Sequence, residues 1–210
     1  MVMRLAAALD IPRRQVNSML EAARHPPAYP DPAEGRSPPK ELAGTLELMK
    51  QHHDPFPLFV TNRTYDVIDI NRGGRALFGA VMPNVSLRGG LNLVRFTFDP
   101  AGAYPVLVNI DELGRGVLRR LQREVLADRN DIRLRQLLDE VSAMPTVAQD
   151  WREADLTIPP PPVARIILRA GEQELKFMAT EFMVLADLRV EAWYPFDPTT
   201  EDSCRRWSTH

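Results

Sequence analysis

The apolar positions change period along the chain, and the changes divide it. Over residues 3 to 24 they recur at helical spacing in two short runs: Leu5, Ala8 and Leu9, then Val16, Met19, Leu20 and Ala23 after Pro12, a good first-turn residue. Each run makes one narrow apolar stripe and cannot build a core alone, so both helices are expected to lean on something else. Leu42, Leu46 and Met49 mark a further helix from about Pro39 to His52. From Pro57 the period becomes two. PLFVT (57 to 61) and YDVIDI (65 to 70) read as strands joined through Asn62 to Thr64 in a hairpin. Asn71 opens a short helix, NRGGRALFG, ending at Gly79, whereas LNLVRFTF (91 to 98) fits a strand or a short helix equally well.

Two stronger helices follow. One starts near Asp111 and places Leu113, Val117, Leu121 and Val125 at i+4 steps, with Leu118 widening the stripe. The other starts at Asp131, a good N-cap, and is expected to bury Ile132, Leu137, Leu138, Val141 and Met144. Three strands close the pattern: VARIILR (163 to 169), ELKFMATEFMV (174 to 184) and LRVEAWYPF (188 to 196). Two strands, a helical middle and three strands predict an α+β fold, a PAS-like antiparallel sheet covered by helices on a single face and preceded by a small all-α N-terminal piece.

Composition adds punctuation to this plan. Proline is the excess: 19 of 210 residues, about 9% against the usual ~5%. Six prolines crowd Pro26 to Pro39 and four are consecutive from Pro159 to Pro162, so proline marks joints; the first cluster reads as an extended linker. The net charge of -2 excludes a global basic field for nucleic acid or acidic membranes. The single cysteine, Cys204, excludes a disulfide framework and a CxxC metal site. With no apolar run near the ~20 residues of a membrane span and no signal-like start, the expected location is the cytoplasm.

The segments RLAAALDIPRRQVNSMLEAARHPPAYP, FVTNRTYDVIDINRGGRALFG, LNLVRFTFDPAG and LRVEAWYPFDPTT, in this order and spacing, resemble the MmyB-like family of bacterial transcription regulators. In that family a helix-turn-helix domain of the lambda-repressor (XRE) kind precedes a PAS-like ligand-binding domain. The resemblance implies a regulator that senses a small molecule, with long-chain fatty acid as the associated ligand class, and that binds operator DNA as a homodimer. It divides the chain into a remnant of the DNA-binding domain (1–25), a Pro-rich linker (26–39), the ligand-binding domain (40–200) and a tail (201–210). Two departures stand out. The N-terminal piece resembles only the last two helices of its domain, without the helix that enters the major groove. The connection within EFMVLADLRVEAW is also shorter than the family pattern. A stand-alone lipid-binding protein that has lost DNA binding is therefore the alternative reading.

Candidate site residues follow from these expectations. Arg95 sits among apolar residues, and its guanidinium fork suits a ligand carboxylate; a structural salt bridge, or a place on the solvent face of a strand, are the other readings. The wall of a pocket would draw on Phe59, Ile68, Ile70, Phe78, Phe98, Leu121, Phe177, Phe182 and Trp193, each of which could equally be plain core. Burial at about 0.8 kcal/mol per methylene gives a C14 chain roughly 10 kcal/mol before ordering costs. Arg13 and Arg14, with Arg4 and Arg24, make the first helices locally positive, which suits phosphate contacts. His52, His53 and Asp54 invite a metal reading, but adjacent histidines on a helix diverge, and no metal or other cofactor is expected. The sequence contains neither GxxxxGK[ST] nor GxSxG, so no catalytic residues are expected.

Overall fold

A computed structural model describes residues 1–9, 11, 13–26, 28, 40–87, 90–129, 131–153, 155–159, 161–185 and 188–208. The sheet is wholly antiparallel, in the order β2-β1-β5-β4-β3. It consists of β1 (Leu58–Asn62), β2 (Val67–Ile70), β3 (Val163–Ala170), β4 (Gln173–Leu185) and β5 (Leu188–Pro195). β1 pairs with β5, so the first hairpin is spliced onto the last strand and the helical middle is enclosed by the two halves of one sheet.

Strand alternation assigns the two faces. In β5, Leu188, Val190 and Ala192 pack with Leu58 and Val60 of β1 beneath Leu46 of α3 (Lys40–His53), with Leu42 and Met49 alongside. The intervening Phe59 and Trp193 belong to the cluster on the opposite face, under α4 (Arg72–Val81). Helices therefore cover both faces, not the single face expected, because β1 and β5 carry apolar side chains on both sides, Leu58, Val60, Leu188, Val190 and Ala192 on one and Phe59 and Trp193 on the other, and can leave neither side to water.

Side-chain caps set the helix starts. The Asn71 carboxamide accepts from Gly74 N at 2.9 Å and Leu58 N at 2.9 Å, and donates to the Phe56 carbonyl at 2.7 Å and Asp54 at 2.8 Å. It thus ties α4 to β1. Beneath α4, a Cβ at Gly73 would lie 2.3 Å from the Pro55 carbonyl oxygen, so only glycine permits the approach. The ambiguous segment 91–98 is helical, as α5 (Leu93–Phe98). Asn92 caps it by accepting from Arg95 N at 3.0 Å, while its amide donates to the Thr64 carbonyl at 2.6 Å and Asp66 at 2.8 Å.

After a 3-10 turn at Tyr104–Val106 come α6 (Ile110–Ala127), α7 (Ile132–Ser142) and the short α8 (Gln149–Arg152). Asp131 caps α7 through Leu134 N at 2.9 Å. Ile132 is 63% exposed, contrary to expectation; at the first helical position it precedes the stripe of Leu134, Leu137 and Val141 that α7 buries. The expected tail is instead α9 (Pro198–Trp207), capped by Asp197 and packed against α4 and β4, with Cys204 buried.

At the N-terminus, α1 (Val2–Ala8) and α2 (Arg13–Ala22) bury Ala6, Val16 and Leu20 against each other. Leu5 and Leu9, expected on the buried stripe, are exposed. Arg13 and Arg14 begin α2, and their side chains lie outside the described residues, as does the linker apart from Pro26 and Ala28.

Candidate functional site

A cavity of about 90 Å³ lies between the sheet and α4, α5 and α6. It has room for considerably more than the single water that ~10–15 Å³ would admit. Phe59, Ile166, Leu168, Ala179 and Trp193 form its floor, Leu77, Phe78 and Met82 one side, and Leu93, Val94, Phe96 and Thr97 the roof. The rings interlock, with centroids 5.2 Å apart for Phe59 and Trp193 and 5.3 Å for Phe78 and Phe96. Leu113, Val117 and Arg120 of α6, spaced by four and then three residues, present one helix face to the space.

Charged groups gather at one end. Tyr65, Arg120, Glu181 and Glu191 line the cavity there. Arg189, only 1% exposed, lies behind them. Its guanidinium donates to both oxygens of Glu124, at 2.7 and 2.9 Å, and to Glu181 at 3.2 Å, and stacks 4.3 Å from the centre of the Tyr65 ring. Tyr65 Oη donates to Glu124 at 2.9 Å, and Arg120 donates to Glu181 at 3.0 Å. Glu191 accepts the Trp193 indole N–H at 2.6 Å, and no salt bridge among the described residues reaches it.

The electrostatics follow from burial. Burial raises the pKa of Glu191, with Glu181 adding to the effect; the Trp193 hydrogen bond and the two arginines only partly offset this. Burial and Glu124 likewise push the Tyr65 phenol well above its usual range. Burial opposes the charge of Arg189, but the hydrogen-bonded Glu124 and the neighbouring acids outweigh it, so its pKa rises.

Of the wall residues expected from sequence, Phe59, Phe78 and Trp193 line the cavity. Ile70 and Phe177 are buried in the core around it without lining it. Phe98 and Leu121 belong to a second cluster with Leu134, Leu137 and Trp151. Ile68 packs on the α3 face. Phe182 is 47% exposed: five residues from Phe177 along β4, it must point to the other face.

Arg95 does not line the cavity. Its guanidinium lies on the exposed side of α5 and holds both oxygens of Glu140, Nε at 2.9 Å from each and Nη2 at 2.8 Å from Oε2, which leaves the salt-bridge reading. That bond, with charge attraction, raises the Arg95 pKa and lowers that of Glu140. His53 hydrogen-bonds the Trp193 carbonyl at 3.1 Å and meets the Tyr194 ring edge-on, and among the described residues no group of His, Cys, Asp and Glu is placed to hold a metal.

Sequence reasoning missed Tyr65, Arg120, Glu181 and Glu191. The signal was phase. Glu181 falls in step with Phe177 and Ala179, and Glu191 with Trp193, so both carboxylates had to face the cavity side.

No helix among the described residues is long and apolar enough to cross a membrane. No curated protein matches the chain. The profile of the MmyB-like transcription regulator ligand binding domain matches residues 43–206, a span that contains the whole sheet and every residue lining the cavity. The chain therefore belongs to the family of MmyB-like transcription regulator ligand-binding domains.

Proposed function

We propose that this domain senses a long-chain apolar molecule, of the fatty-acid class, for a DNA-binding regulator in the cytoplasm. The supporting observation is the largely apolar cavity between the sheet and α4 to α6, with its charged side chains gathered at one end. Such a shape suits an alkyl chain with one polar head. The ligand acts by favouring one arrangement of a homodimer over another, and it can shift DNA affinity only by the difference between its affinities for the two. On this reading α1 and α2 belong to the DNA-binding part, where Arg13 and Arg14 touch phosphates.

The test is organic extraction of the purified protein followed by mass spectrometry, together with thermal melts in added fatty acids. A ligand at one hundred times its Kd adds about 2.7 kcal/mol, a readily measured rise in Tm. Recovery of a long-chain lipid, or stabilisation by one, supports the reading; neither extracted lipid nor any rise in Tm overturns it.

A further inference from the structure

Charge bookkeeping at the polar end of the cavity leaves one group over. Arg120 and Arg189 supply two cations; Glu124 and Glu181 answer them, each within 3.2 Å of at least one guanidinium. Glu191 is the fifth charged group. It stands directly across the strand pair from Glu181 in the β4–β5 register, where like charges repel. Glu181 holds both arginines, and among the described residues Glu191 has only the indole of Trp193. A carboxylate offers about four lone-pair sites, so one indole leaves most of Glu191 unserved, on a surface open to the cavity. An ionised group so placed lacks the partners that burial demands.

We propose that Glu191 is the head-group acceptor of the cavity, receiving the polar end of a long-chain ligand as a hydrogen-bond donor: an ammonium, or a carboxylic acid that keeps its proton. The inference rests on the ligand-sensing reading above and deepens it by specifying the head. An ammonium completes the charge set, three cations against three carboxylates. An ionised fatty acid instead brings a further negative charge, so it binds only where one proton is shared between its own carboxylate and that of Glu191: a proton Glu191 already holds when neutral and one taken up from solvent when it is ionised. The charged and titratable groups facing this position are Arg120 and Glu124 from α6, Glu181 from β4, Arg189 from β5 and Tyr65 from the β1–β2 turn. The raised pKa of Glu191 fits a group that holds its proton until a cation arrives.

Calorimetric titration of the whole chain with decanoate and with decylamine, between pH 6 and pH 9, tests this. Decanoate should weaken as pH rises, by up to about tenfold per unit where the empty cavity holds Glu191 ionised, while decylamine should strengthen. In Glu191→Gln, which keeps the shape and removes the charge, both slopes should vanish and decylamine should lose at least tenfold in affinity. Wild-type slopes that are flat or of the same sign for the two ligands overturn the assignment without need of any variant. Slopes that persist in a folded Glu191→Gln protein overturn it too. If neither ligand binds at any pH, the head-group assignment falls, while lipid extraction and the melts in long-chain acids decide the ligand-sensing reading separately.

Discussion

Arg189 and Arg95 are both arginines in apolar sequence, and their contrast shows what decides the weight of a charge. Arg189 is buried against Glu124 and Glu181. Arg189→Met should therefore cost about 3–5 kcal/mol in urea unfolding, because it leaves Glu124 near the cavity without its cation and Glu181 with Arg120 alone. Arg95 meets Glu140 in solvent; Arg95→Ala should cost less than about 1 kcal/mol and leave fatty-acid affinity within twofold, measured by calorimetry. The sequence places both in apolar runs and cannot separate them, since what differs is whether the partner lies across a sheet or across a helix surface. Glu191 carries a pH signature of its own. A group whose pKa is raised on folding contributes stability below its unfolded pKa and loses it as pH climbs through the folded value. Wild-type Tm should therefore fall towards alkaline pH by more than that of Glu191→Gln, in melts run from pH 5 to pH 9.

The elements show how a correct period can still misplace a residue. The i+4 series Leu113, Val117, Leu121, Val125 was legible as one stripe, but four residues advance a helix by about 400°, so the series drifts some 40° per step. Its first half faces the cavity and its second half faces the cluster shared with α7. On the neighbouring face of α6, next to Leu113, a Cβ on Gly114 would lie 2.7 Å from the Trp151 ring and 3.1 Å from Phe98. Gly114→Ala should thus destabilise by about 1–3 kcal/mol despite the gain in helix propensity, a sign readable by urea unfolding. In β2 a bulge does similar damage to the count. Thr61 pairs with Val67 and Val60 with Asp69, so Ile68 is the extra residue and turns towards α3. The end of the chain departs from expectation for a simpler reason: the buried face of α9 is made largely of small residues, Thr200, Ser203 and Cys204, with Trp207 at its end. Burial pushes that thiol up to about 11, so Cys204 should react with a thiol reagent only as the protein unfolds.

For the whole molecule, the number of the strands and their sequence along the chain were legible, because period two holds through most of their length despite the bulge in β2. The neighbour relation β1–β5 was not, since alternation says which face a residue takes and nothing about which strand lies beside it. Nor was the covering of both sheet faces, which depends on α3 folding back over strands that follow it in sequence. The cavity inherits that blindness: its lining comes from elements spread between Phe59 and Trp193, and only their assembly reveals that the charged end is shared by α6, β4, β5 and the β1–β2 turn.

Of Trp151, Trp193 and Trp207, Trp193 alone lines the cavity, and its indole N–H is bonded to Glu191. The chain thus carries a built-in optical probe. With Trp151 and Trp207 changed to Phe, the remaining emission should shift in wavelength when the cavity fills and again when Glu191 gains or loses its proton, turning occupancy and ionisation into two separable fluorescence readings from a single unlabelled fluorophore.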